Sequence, residues 1–160
     1  RPSVWRTGPL MSSDAFGELI YVSWRGTGRG AALRAAYDQA ADADQTLTYL
    51  AILDPPHFAD LDLNLMKLVV DELEWLLNAH MRTVAAASYK QVETTRVIVR
   101  TGEVDDEVIE LAHQTGANSI VLGAPLATAS GTPVEDLVAV LRKRTGASVS
   151  IVDPEAPVLG

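Results

Sequence analysis

Two glycine-bearing stretches hold the residue types that seat phosphate. The first is "WRGTGRGAAL", where Gly26, Gly28 and Ala31 satisfy G-x-G-x-x-A between an apolar run and a helical pattern. Glycine lets a backbone approach a pyrophosphate closely, and a helix start offers free N–H groups. A dinucleotide site also needs an acidic residue about 20 positions on, at the end of the next strand. Asp54 ends that strand but is late, whereas Asp42 and Asp44 precede it. Three glycines in five residues equally serve a tight turn, so an NAD-dependent enzyme stands only as an alternative. The second stretch is "GAPLATASGTPVED", residues 123–136. Gly123 follows the apolar "SIVL", and Gly131 precedes a helix whose start carries Thr132, Pro133 and Glu135. Those three form a capping box with proline at the first helical position. Capping satisfies only some of the free N–H groups, so the same helix start can also hold an anion. Arg25 and Arg29 flank the first stretch and offer charge to that anion.

Other chemistry finds no footing. His57, His80 and His113 are far apart and match no metal-ligand spacing. There is no G-x-S-x-G elbow and no G-x-x-x-x-G-K-[ST] loop. Glu103, Asp105, Asp106 and Glu107 fall in the first turns of a helix, where the macrodipole favours acids. Met66 and Met81 sit on a long helix and read as packing residues. With no triad and no catalytic carboxylate pair, the expectation is a binding protein and not an enzyme.

The elements that would position these loops alternate in type. "ELIYVSW" (18–24) reads as a strand, and "AALRAAYDQAADA" as a helix with Leu33, Ala36, Tyr37 and Ala40 on one face. "TLTYLAILD" (46–54) is a second strand, stopped by Pro55 and Pro56. The longest helix runs near 62–88, with Leu65, Leu68, Val69, Leu73 and Leu76 as its expected core stripe. "TTRVIVR" (94–100) is strand three, and Gly102 turns the chain into a helix carrying Val104, Val108, Leu111 and Ala112. Gly116 ends that helix. "SIVLGA" is strand four, the last helix shows Val134, Leu137, Val138 and Leu141 on one face, and "ASVSIV" is strand five. Such alternation predicts an α/β fold: a five-stranded parallel sheet, ordered 3-2-1-4-5, with helices on both faces. Ligands then bind beyond the strand tips where the order reverses, between strands one and four. Both glycine stretches follow those two strands.

Composition sets the outer limits. A chain of 160 residues fits one domain of about 18–153, between an N-terminal arm or linker (1–17) and a tail (154–160). It has no cysteine, which fits a reducing compartment and a cytoplasmic location. Thirteen Lys+Arg against 21 Asp+Glu give a formal net charge of −8, which argues against nucleic-acid binding. No apolar run approaches the roughly 20 residues that cross a bilayer, so membrane insertion is not expected. The chain opens on Arg1 instead of methionine, which raises a further alternative: a soluble regulatory domain of a larger protein, such as a transporter.

"RTGEVDDEVIELAHQTGANSIVLGAP" resembles the signature of the universal stress protein family, with Asn118 where the family usually has aspartate. "AALRAA" and "LAILDP" are similar to it as well, and the likeness covers roughly residues 18–153. It implies the adenine nucleotide alpha hydrolase-like version of the fold, a role in stress response or regulation, and an ATP- or AMP-binding site. In the family the nucleotide is held through G-x2-G-x9-G-(S/T) after strand four, with an aspartate near the end of strand one. Gly123 matches the first glycine, but Leu126 stands at the second. Only a shortened loop lets Gly131 and Thr132 serve as the final pair, and Trp24 stands where the aspartate belongs. The resemblance therefore implies a weakened or altered adenine-nucleotide site built from Gly123, Gly131, Thr132, Trp24, Arg25, Arg29 and Ala51. It also implies a homodimer through strand five, in agreement with the apolar character of that expected edge.

Overall fold

The computed structural model describes residues 17–24, 31–53, 63–123 and 134–152. Strand β1 (Glu18–Trp24) leads through helix α1 (Ala31–Asp42) to β2 (Thr46–Leu53). Helix α2 (Leu63–Ala87) then precedes β3 (Thr95–Thr101), and α3 (Val104–Thr115) precedes β4 (Ser119–Gly123). Helix α4 (Val134–Thr145) and β5 (Ser148–Ile151) are the last described elements. The five strands form one sheet in the order β3-β2-β1-β4-β5, with every neighbouring pair parallel. The expected fold is therefore found, with element ends within a residue or two of their expected places.

Side-chain alternation divides the core in two. Leu19, Tyr21, Leu47, Tyr49 and Val121 face α1 and α2, against Leu33, Tyr37, Leu77 and Met81. Ile20, Val22, Leu50, Ile120 and Leu122 face α3 and α4, against Val108, Leu111, Val138 and Leu141. Both faces are apolar on the central strands, as a sheet covered on both sides requires. Gly116 closes α3 at φ 69°, and its N–H donates to the Ala112 carbonyl. That left-handed position is why a glycine stands there.

One helix departs from the expected stripe. On α2 the residues that reach the core are Leu77, Met81 and Val84, with Leu73 packed beside them. Leu65, Leu68 and Leu76, expected to face inward, are exposed. The helix carries apolar residues on two faces, and the sheet takes the one that also presents Met81.

Strand β5 is an edge. The N–H groups of Ser148 and Val152 donate to β4 backbone carbonyls or their immediate flank, Asn118 and Leu122. Alternation then turns the backbone groups of Val149 and Ile151 outward. The outward Val149 carbonyl is already taken: the Arg142 guanidinium donates to it at 2.9 Å.

Candidate functional site

The order reversal falls between β1 and β4, so their C-terminal ends flank the crevice where sheets of this kind receive ligands. The register makes the crevice specific. Ser23 pairs with Gly123 on one side and with Ala51 on the other, and Trp24 lies opposite Ile52. Ser23, Ala51 and Gly123 thus form one row of small residues across the tips of three central strands. Gly123 has no Cβ to obstruct close approach of a ligand at that row.

Beneath the row lies a layer of large rings. Tyr21 and Tyr49 pair across β1 and β2, edge to face, with centroids 5.1 Å apart. The Ser23 hydroxyl donates to the Tyr49 hydroxyl at 3.3 Å. Burial raises the Tyr21 phenol well above its ordinary range, with the nearby Tyr49 adding to the effect. Burial also raises Tyr49, and the hydrogen bond from Ser23 partly offsets it. Both phenols are therefore neutral at physiological pH and act as hydrogen-bonding groups, not bases.

Of the residues implied in the sequence, Gly123 and Ala51 are brought together, and Trp24 closes β1 beside them. Arg25, Arg29, Gly131 and Thr132 lie outside the described residues, as do Leu126, Asp54 and His57. Ser23 and Tyr49 went unnoticed in the sequence. The available signal was a lone serine one step from the tip of the otherwise apolar "ELIYVSW". Elsewhere, His113 Nε2 lies 3.1 Å from the Arg144 carbonyl, a helix-end contact between α3 and α4. The acids Asp105, Asp106 and Glu107 occupy the first turn of α3, and Glu107 and Glu110 pair with Arg100 on β3 at 3.5 and 3.6 Å. Among the described residues no group of three or more His, Asp or Glu is placed to hold a metal ion. Nor is any described helix long and apolar enough to cross a membrane.

Comparison with known proteins agrees with this architecture. A hypothetical protein, PH0823, superposes with a TM-score of 0.63 at 15% identity, covering 89% of this chain and 99% of that one. Universal stress protein UspA from Lactobacillus plantarum gives 0.56 at 14% identity, covering 88% and 100%. A universal stress protein in complex with cAMP gives 0.52 at 14%, covering 87% and 99%. At such identities the likeness shows the fold alone. No curated protein matches the sequence. The sequence model of the universal stress protein family does match, over residues 25–131, and the chain belongs to that family.

Proposed function

We propose that this chain is a regulatory, stress-type binding protein that takes an adenine nucleotide at the tips of β1 and β4, and that its phosphate seat is altered. The observation that carries the reading is the row Ser23–Ala51–Gly123 at the point of strand-order reversal. The choice of adenine is supported by family membership and by the relative solved in complex with cAMP. Leu126 at the second-glycine position puts a side chain where a polyphosphate wants bare backbone. The site therefore favours AMP or cAMP over ATP, and the protein works as a binder in the cytoplasm without turning its ligand over.

Thermal shift and calorimetry with cAMP, AMP, ATP and NAD, each with and without Mg²⁺, test this. A ligand at 100 times its dissociation constant stabilises the fold by about 2.7 kcal/mol. Stabilisation by AMP or cAMP is expected, with a gain for ATP in the Trp24→Asp, Leu126→Gly double variant. No response to any adenine nucleotide rejects the reading, and a response to NAD alone replaces it. Pairing of two copies through β5 belongs to the same reading. It requires Arg142 to release the Val149 carbonyl, so Arg142→Ala should strengthen it.

A further inference from the structure

Helix α2 carries a second apolar stripe on the side away from the core. At about 100° per residue, the positions 65, 68, 72, 75, 79, 82 and 86 stack into one seam with the 3-4 spacing of a heptad repeat. That seam lies nearly opposite Leu73, Leu77, Met81 and Val84, which meet the sheet. Its large members are open to solvent: Leu65 is 47% exposed, Leu68 63% and Trp75 66%. Tyr89, the next position in the same spacing and just past the helix end, is fully exposed. Isolated exposed leucines are ordinary, but three large apolar side chains in register along one helix, with a fourth just past its end, are not.

The order of residues along the seam says what covers it. Laid antiparallel against a second copy of itself and centred on position 77, the seam is self-complementary. Trp75 meets the partner's Ala79, and Leu68 meets the partner's Ala86, so these two bulky side chains each face a small one. Glu72 meets the partner's Arg82, and the two-fold repeats that pair. Neither Glu72 nor Arg82 has an ion-pair partner among the described residues. Leu65 falls opposite the partner's Tyr89, which extends the contact past the helix end. Asp71 faces the partner's Thr83 at the flank, so no like charges oppose each other at these positions. We infer that α2 is a homodimer interface: two copies pair antiparallel through this seam, with Trp75 as anchor and reciprocal Glu72–Arg82 contacts setting the register.

The dimensions suit the inference. The helical part of the seam, positions 65 to 86, spans about 32 Å at 1.5 Å per residue. A standard interface needs about 800 Å² per partner, toward which each buried aromatic brings roughly 150–250 Å². The net charge of −8 opposes association of two copies in general, which makes the matched charges on this one face the more telling. Taken alone, an isologous contact of this kind closes on itself as a dimer.

Sedimentation velocity and light scattering on the full chain test the proposal, with circular dichroism as the folding control. Glu72→Arg and Arg82→Glu each place like charges face to face, so each should lower the oligomeric mass by one pairing step. The double variant Glu72→Arg, Arg82→Glu restores opposite charges and should restore the mass. Trp75→Ala should weaken pairing at least about tenfold, as loss of a central aromatic anchor does. A wild-type monomer at submillimolar concentration overturns the proposal. So does a dimer indifferent to both single charge reversals, which would point to β5. Failure of the double variant to recover overturns the antiparallel register and with it the proposal.

Discussion

The two ends of the sheet are built on opposite principles. At the N-terminal end the strands are tied by charge and hydrogen bonds. Glu18 is buried, and its carboxylate accepts from Thr46 Oγ1 at 3.1 Å, from Thr48 Oγ1 at 3.2 Å, and from the Arg96 guanidinium. Beside it, the Gln45 amide donates to Asn118 Oδ1 and to Ser119 Oγ, both at 2.9 Å. Toward the C-terminal end the three central strands carry Ser23, Ala51 and Gly123 side by side, and the Ser23 hydroxyl meets the Tyr49 hydroxyl behind them. One end holds strands 1 to 4 in place; the other leaves a small-sided row. Strands pinned at one end leave the sheet free to keep a reduced tip at the other, where the proposed ligand would enter.

The contrast can be broken most sharply at Glu18. Glu18→Ala leaves the buried Thr48 hydroxyl without its acceptor and strips Arg96 of its partner. The expected loss is about 3 kcal/mol, tempered because Arg96 is half exposed. Its reading is a thermal midpoint lower by about 8 °C, with any response of the folded protein to the proposed nucleotide unchanged. Gly17→Ala should follow at about 2 kcal/mol, measured by urea unfolding. Gly17 sits at φ 103°, and a Cβ there would overlap the Asn118 carboxamide. Truncating that side chain as well, in Gly17→Ala, Asn118→Ala, removes the overlap but keeps the backbone strain.

At the other end the expected stability effects are smaller. Tyr49→Phe removes the partner of Ser23 and should cost about 1 kcal/mol. If it costs as much as Glu18→Ala, the two ends do not differ as described. The tyrosines also predict an alkaline limit. Their folded-state pKa values are raised, so the stability they contribute is complete below about pH 10, where an unfolded tyrosine begins to ionise. It is lost as pH climbs further, because the unfolded chain releases those protons first. Stability followed from pH 9 to 11 should fall, and the Tyr21→Phe, Tyr49→Phe double variant should flatten that fall.

Most of the fold was legible because its signals are local. The apolar runs of β1 and β4, the 3.6-residue stripes of α1 and α3, and Gly116 at its left-handed stop each announce themselves within a few residues. Helix α2 was misread because two apolar faces share it, and spacing alone cannot say which one meets a sheet. Leu65, Leu68 and Leu76 fit one stripe as well as Leu77 and Met81 fit the other, and only Leu73 of the expected leucines packs against the core. The candidate site was half legible. Gly123 follows from its place after a strand and Ala51 from the family likeness, but Ser23 joins them only through register across three strands. That register is fixed by residues far apart in the chain, and no linear motif records it.

The contact between Arg142 and the Val149 carbonyl has a wider meaning. A short apolar rim with spare backbone groups is the kind of border along which misassembled copies zip together. Here the preceding helix lends one cationic side chain as a latch over that border. Among the described residues the protection rests on one long side chain, so loss of its charge or length would leave the rim sticky, and deposits in crowded or heated cells would be the first sign.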